Sequence, residues 1–176
     1  MSATLLLTHE EIQQGVRALA GQVAEGFPAG DIPIVCVDTA ACRFSGDLAG
    51  VLDRDHGRAS RITHIRPKAP EPFPDHVLEG FNLVVDTLFD TGRTFQLLEA
   101  IPGLRTTLCV KDEVDPRHWR FPDWWAYLVP NVYIHGYGLD DLEGLSRDLD
   151  DIVTDEPLAS GARVVLREQV EARIQA

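Results

Sequence analysis

Short, continuously apolar runs alternate with helix-patterned segments along most of this chain, and that alternation restricts the fold more than any other feature. "DIPIVCVD" reads as a strand over Ile32–Val37, and "ASRITHI", "FNLVV", "RTTLCVK", "WWAYLV" and "VYIHGYGL" read as further strands. Runs that stay apolar at successive positions belong to strands buried on both faces. Between them lie helical patterns. The first, Thr8 to Glu25, opens with a capping box formed by Thr8 and Glu11 and carries Ile12, Val16, Leu19 and Val23 at helical spacing. The second runs from Ala41 to Leu52, with Phe44, Leu48, Val51 and Leu52 on one side. The third covers about Thr91 to Ile101 and stops at Pro102-Gly103. The tail from Ala162 reads as a strand and then a short charged helix. The pattern predicts one α/β domain over residues 1–176, with a mostly parallel sheet flanked by helices.

In such sheets ligands sit outside the C-terminal ends of the strands. That rule places the stretch "NLVVDTLFDTGRTF", Asn82 to Phe95, at the site. Asp90-Thr91-Gly92-Arg93-Thr94 links a strand end to a helix start. Backbone amides there suit a phosphate, Gly92 permits close approach, and Thr91 and Thr94 add hydroxyls. Taken alone, these five residues fit a phosphate site and a plain helix cap equally well.

Charge narrows the partners. The chain carries a net charge of −12 with 25% charged and 44% apolar residues. A surface this acidic repels nucleic acid and anionic membranes, whereas a small anionic substrate can still be met by a local basic pocket. No apolar run approaches a membrane span or a signal h-region. The three cysteines, Cys36, Cys42 and Cys109, show no Cys-x-x-Cys spacing, and the six histidines show no paired metal spacing. They read as buried reduced thiols and surface or capping histidines of a cytoplasmic protein.

The whole segment, apolar residues followed by an acid, three residues and Asp-Thr-Gly-x-Thr, resembles the ribose-phosphate signature of the type I phosphoribosyltransferases. A second block, "VKDEVDP…FPDWWAYLVPNVYIHGYGLDDLEGLSRDLDDI", resembles the C-terminal half of the hypoxanthine-guanine members. The opening helix resembles theirs as well, and the likeness runs from about residue 5 to 155. It implies the type I phosphoribosyltransferase fold, with a small hood built from the N- and C-terminal parts. It also implies magnesium-dependent transfer of 5-phosphoribose from phosphoribosyl pyrophosphate to a purine-like base, in a homodimer or homotetramer. Thr91, Gly92, Arg93 and Thr94 would hold the 5′-phosphate. Asp86 would take a ribose hydroxyl and, with Asp140, serve the metal. Asp90 would handle the base proton. Lys111 would meet the purine 6-oxo group, Tyr133 would stack on the base, and the Ile134 backbone would meet the ring edge. Arg147 would reach pyrophosphate, with Thr39 and Thr87 as further substrate contacts.

Three positions depart from the family pattern. Thr87 stands where the family has a second acid. Asp38-Thr39-Ala40 replaces a Leu-Lys-Gly turn that cradles pyrophosphate. The proline-rich "RPKAPEPFPDHV" replaces a longer closing loop with a Ser-Tyr pair, leaving Arg66 or Lys68 as substitutes. An alternative reading is therefore a nucleotide-binding regulator or weak pseudo-enzyme on the same fold.

Overall fold

The computed structural model describes residues 3–67, 72–115, 117, 121–140 and 146–169. Lys68 and the end of the tail helix lie outside them. Strand β1 (Thr4–Leu7) leads into α1 (His9–Gly26). Thr8 caps α1 as expected: its hydroxyl accepts from the Glu11 amide, and the Glu11 carboxylate accepts from the Thr8 amide at 2.8 Å. Then follow β2 (Ile32–Val37), α2 (Cys42–His56), β3 (Ser60–Ile65), α3 (Asp75–Glu79), β4 (Asn82–Phe89), α4 (Arg93–Leu97), β5 (Gly103–Lys111), β6 (Trp124–Val129), β7 (Ile152–Thr154) and β8 (Val165–Leu166).

Six strands form one sheet in the order β3-β2-β4-β5-β6-β8, parallel except for the antiparallel edge strand β8. The inner strands are buried on both faces, which explains their unbroken apolar runs. Along β4, Leu83 and Val85 face the core shared with α1 and α2. Val84 faces the opposite core, shared with Val77 of α3 and Phe95 of α4. β1 and β7 pair antiparallel as a separate two-stranded unit, joining the N- and C-terminal parts as the small hood. No helix among the described residues is long and apolar enough to cross a membrane.

Several boundaries differ from the sequence reading. β4 runs on through Asp86 and Thr87 to Phe89, because these residues continue the ladder with Thr107 to Val110 of β5. α4 has five residues, not eleven. Beyond it the chain turns, so that Leu98 and Ile101 enter the second core. "VYIHGYGL" is not a strand: it makes only the isolated bridges His135–Val153 and Gly136–Leu139, and Tyr137 takes a left-handed φ of 50°. β1, β7 and α3 carried no usable pattern, since each is five residues or shorter.

Candidate active site

The predicted ligand loops converge at the C-terminal ends of β2, β4 and β5. Asp86, Asp90, Thr91, Gly92, Arg93 and Thr94 line one small pocket of about 50 Å³. Gly92 has φ 74°, the left-handed region that glycine adopts without strain, so it can reverse the chain between β4 and α4. The Thr91 hydroxyl accepts from the Arg93 amide at 3.4 Å. A second cavity of about 170 Å³ is lined by Val37, Asp38, Ala40, Pro67, Asp86, Thr94 and Leu97. Asp86 and Thr94 belong to both, so the strand-end acid stands where the two spaces meet.

Asp86 is half-buried and accepts from the Thr87 amide at 2.8 Å. Burial pushes its carboxyl up to about 7. The amides of Thr87 and Leu88 act against that rise, and the carboxylate of Asp38 adds to it. Asp38 itself sits in the left-handed region at φ 55°, with its carboxylate accepting from the Thr39 amide at 3.0 Å. The Asp38–Ala40 turn, expected on the pyrophosphate side, supplies Asp38 and Ala40 to the lining of the second cavity. Asp38 reaches that cavity because β2 ends at Val37 and the chain turns there.

Thr87 does not face the substrate space. It is fully buried, and its hydroxyl donates to the Ala40 carbonyl at 3.0 Å. This departs from its expected role as a substrate contact and explains the missing second acid: a carboxylate would set an acceptor against an acceptor. The same carbonyl is crowded from the other side by Gly138, at φ 93°, where an added Cβ would lie 2.7 Å from the Ala40 oxygen. Thr87→Val is expected to destabilise the fold by about 1 kcal/mol, measured by urea unfolding. Thr87→Asp is expected to cost more, since it buries a charge without a donor.

The residues expected to meet the base gather at and beyond the ends of β5 and β6. Lys111 is buried to 8% exposure, and its ammonium lies 3.6 Å from the Asp90 carboxylate. Tyr133 is 39% exposed and donates its hydroxyl to the Asp140 carbonyl at 2.7 Å, which holds the ring while leaving it accessible. Ile134 is buried beside it.

Arg147 and Asp140 are brought together, but with each other. The guanidinium donates to both carboxylate oxygens, with Nε at 2.6 Å from Oδ1, and also donates to the Thr39 hydroxyl. Asp140, expected to serve the metal, is ion-paired with Arg147 here, and Arg147 spans from that pair to Thr39 of the Asp38–Ala40 turn.

Three comparisons bear on this arrangement. No family model matches the chain. The chain is 30% identical, over 152 residues, to the hypoxanthine-guanine-xanthine phosphoribosyltransferase of Tritrichomonas foetus, covering 77% of this chain and 82% of the relative. The chain belongs to the type I phosphoribosyltransferases. Solved structures of that family agree in fold. A hypoxanthine phosphoribosyltransferase from Trypanosoma cruzi, in complex with the product IMP, superposes with a TM-score of 0.74 at 24% identity, over 87% of this chain and 94% of that one. A hypoxanthine-guanine-xanthine phosphoribosyltransferase structure superposes at 0.71 with 28% identity, over 94% and 95%. In this phosphoribosyltransferase the Asp90–Thr94 loop, Lys111 and the Asp38–Ala40 turn all lie at the C-terminal ends of the central strands.

Proposed function

We propose that this phosphoribosyltransferase transfers 5-phosphoribose from phosphoribosyl pyrophosphate to a 6-oxopurine, giving a nucleoside monophosphate and pyrophosphate. The observation that carries the reading is the Lys111–Asp90 pair. A 6-oxopurine offers an oxygen acceptor at position 6 beside a ring nitrogen that bears the proton to be lost. An ammonium 3.6 Å from a carboxylate presents the complementary donor and acceptor side by side. A 6-aminopurine would set its amino donor against the ammonium and leave the buried lysine unpaired.

In the reaction, the bond from the anomeric carbon to the pyrophosphate oxygen breaks and a bond to the base nitrogen forms, through a cationic sugar. The amides and hydroxyls of residues 91–94 hold the 5′-phosphate, which fixes the sugar over Asp86. Asp86 accepts a ribose hydroxyl. Asp90 receives the base proton, Lys111 orients the 6-oxo group, the Tyr133 face supports the ring, and the Ile134 backbone meets its edge. Arg147 and Thr39 border the pyrophosphate side. Magnesium fits the donor set: the carboxylates of Asp38 and Asp86 line one cavity, and one or two carboxylates plus substrate oxygens are what this ion takes. These two residues would hold it in place of the ion-paired Asp140. When bound, it would neutralise the leaving pyrophosphate.

A second reading, a nucleotide-binding member with little turnover, draws on one observation. The pyrophosphate turn carries the carboxylate of Asp38, and its nearby arginine is already paired with Asp140. A homodimer or homotetramer and a cytoplasmic location belong to the proposal through the resemblance, and sedimentation tests the first. Titration calorimetry with IMP and with inosine tests the phosphate loop. IMP is expected to bind at least about a hundredfold tighter, matching charge-assisted bonds worth roughly 3 kcal/mol. Equal affinity would remove residues 91–94 from the site. Tyr133→Ala is expected to raise the base KM about tenfold, since stacking on an aromatic is worth roughly 1–3 kcal/mol.

A further inference from the structure

Cys36 and Cys42 flank the turn after β2, and His64, 22 residues beyond Cys42, lies beside them in space. Cys36 and His64 are register partners on the parallel strands β2 and β3. Cys42 is the first residue of α2, after the Asp38–Ala41 turn that leaves β2. The Cys36 and Cys42 sulfurs lie 3.9 Å apart, the Cys42 sulfur lies 3.5 Å from His64 Nδ1, and all three donor atoms fall within 4.8 Å of one another. Both thiols are reduced and compete for one acceptor, the Asp38 carbonyl, at 3.6 Å each.

The Cys36–Cys42 and Cys42–His64 separations match two edges of a metal tetrahedron, and the third pair lies within 4.8 Å. Zinc–sulfur bonds of about 2.3 Å and zinc–nitrogen bonds of about 2.05 Å, at tetrahedral angles, give a sulfur–sulfur edge of about 3.8 Å and a sulfur–nitrogen edge of about 3.6 Å. Two thiolates and an imidazole suit a borderline-soft ion and not magnesium. The fourth direction is open, because Cys42 and His64 line a cavity of about 430 Å³ with Asp38, Thr39 and Arg66. Water can reach it.

We propose that Cys36, Cys42 and His64 form a zinc-binding site, with solvent at its fourth position, that ties both ends of the Asp38–Ala41 turn to β3. Binding exchanges two thiol protons for two metal–sulfur bonds, the protons leaving to solvent. With two thiolates the bound ion is neutral overall, so its effect is to reinforce the turn, which is otherwise tied to the rest of the fold by the Asp38 amide to the Ile65 carbonyl at 2.8 Å, by Arg147 to the Thr39 hydroxyl and by the Thr87–Ala40 bond.

The test uses the full chain, reduced and metal-free, titrated with Co²⁺ as an optical probe and then with Zn²⁺. Expected are one Co²⁺ per chain, intense thiolate-to-cobalt charge-transfer bands with the visible bands of tetrahedral cobalt, displacement by equimolar Zn²⁺, and no displacement by a large excess of Mg²⁺. Cys42→Ser and His64→Ala are each expected to weaken binding at least about tenfold, the scale seen even for the outer residues of metal sites. Cys109→Ala, in the core away from the cluster, leaves binding unchanged. His64 is exposed, so its variant keeps the fold, checked by thermal unfolding without metal. Absent thiolate bands, or unchanged affinity in both ligand variants, would overturn the site. The readout is absorption, not turnover, so its failure is separate from any failure of the transferase reading.

Discussion

Asp90→Asn is expected to lower kcat by about 10²–10⁴-fold, the range for loss of a positioned general base, while IMP affinity changes by no more than about threefold. The amide keeps the size of the side chain but loses the charge that faces Lys111 at 3.6 Å and cannot take a proton from the base. Half of the Asp90 side chain is exposed, so folding should not suffer. Steady-state kinetics and calorimetry on the same preparation separate the two effects. Unchanged turnover would remove Asp90 from the chemistry, and equal losses of turnover and IMP binding would make it a binding residue instead.

Asp86→Asn is expected to act in opposite directions on function and on stability. Its folded carboxyl titrates at about 7, against about 3.9 in an unfolded chain. Between those values the folded state holds the extra proton. The stability from protonated Asp86 is therefore complete below about pH 4 and is lost as pH rises through 7. The asparagine variant never ionises. Without divalent cations its Tm should exceed the parent's at pH 8, and the gap should shrink towards pH 5. Its kcat/KM for phosphoribosyl pyrophosphate should fall at least about tenfold, because an acceptor for a ribose hydroxyl is weakened. Parallel Tm–pH curves would show that Asp86 is not desolvated as described. A burial that destabilises the fold at working pH is the kind of local cost that functional sites carry.

The sheet was legible because its strands are buried on both faces and its helices are amphipathic. Ile32–Val37 and the capping box at Thr8 needed only local information. The ladder of β4 beyond Val85 did not show, because Asp86 and Thr87 read as polar loop residues until β5 is seen to pair with them. The hood strands were too short to carry a period. At the site, the Asp90–Thr94 loop and Lys111 were legible through resemblance. The inward turn of Thr87 and the Arg147–Asp140 pair were not, since both depend on contacts with the distant turn at Thr39 and Ala40. The Cys36–Cys42–His64 cluster escaped because its spacing is set by parallel strand register, not by a local motif.

Product formation tests the central claim most directly. The protein is incubated with magnesium, phosphoribosyl pyrophosphate and, separately, hypoxanthine, guanine, xanthine and adenine, with Asp90→Asn as control, and mononucleotides are separated by chromatography. The account predicts a nucleotide from at least one 6-oxopurine, none from adenine, and loss of product in the control. No product from any 6-oxopurine, in a protein that binds IMP, would contradict it and establish the nucleotide-binding reading in its place.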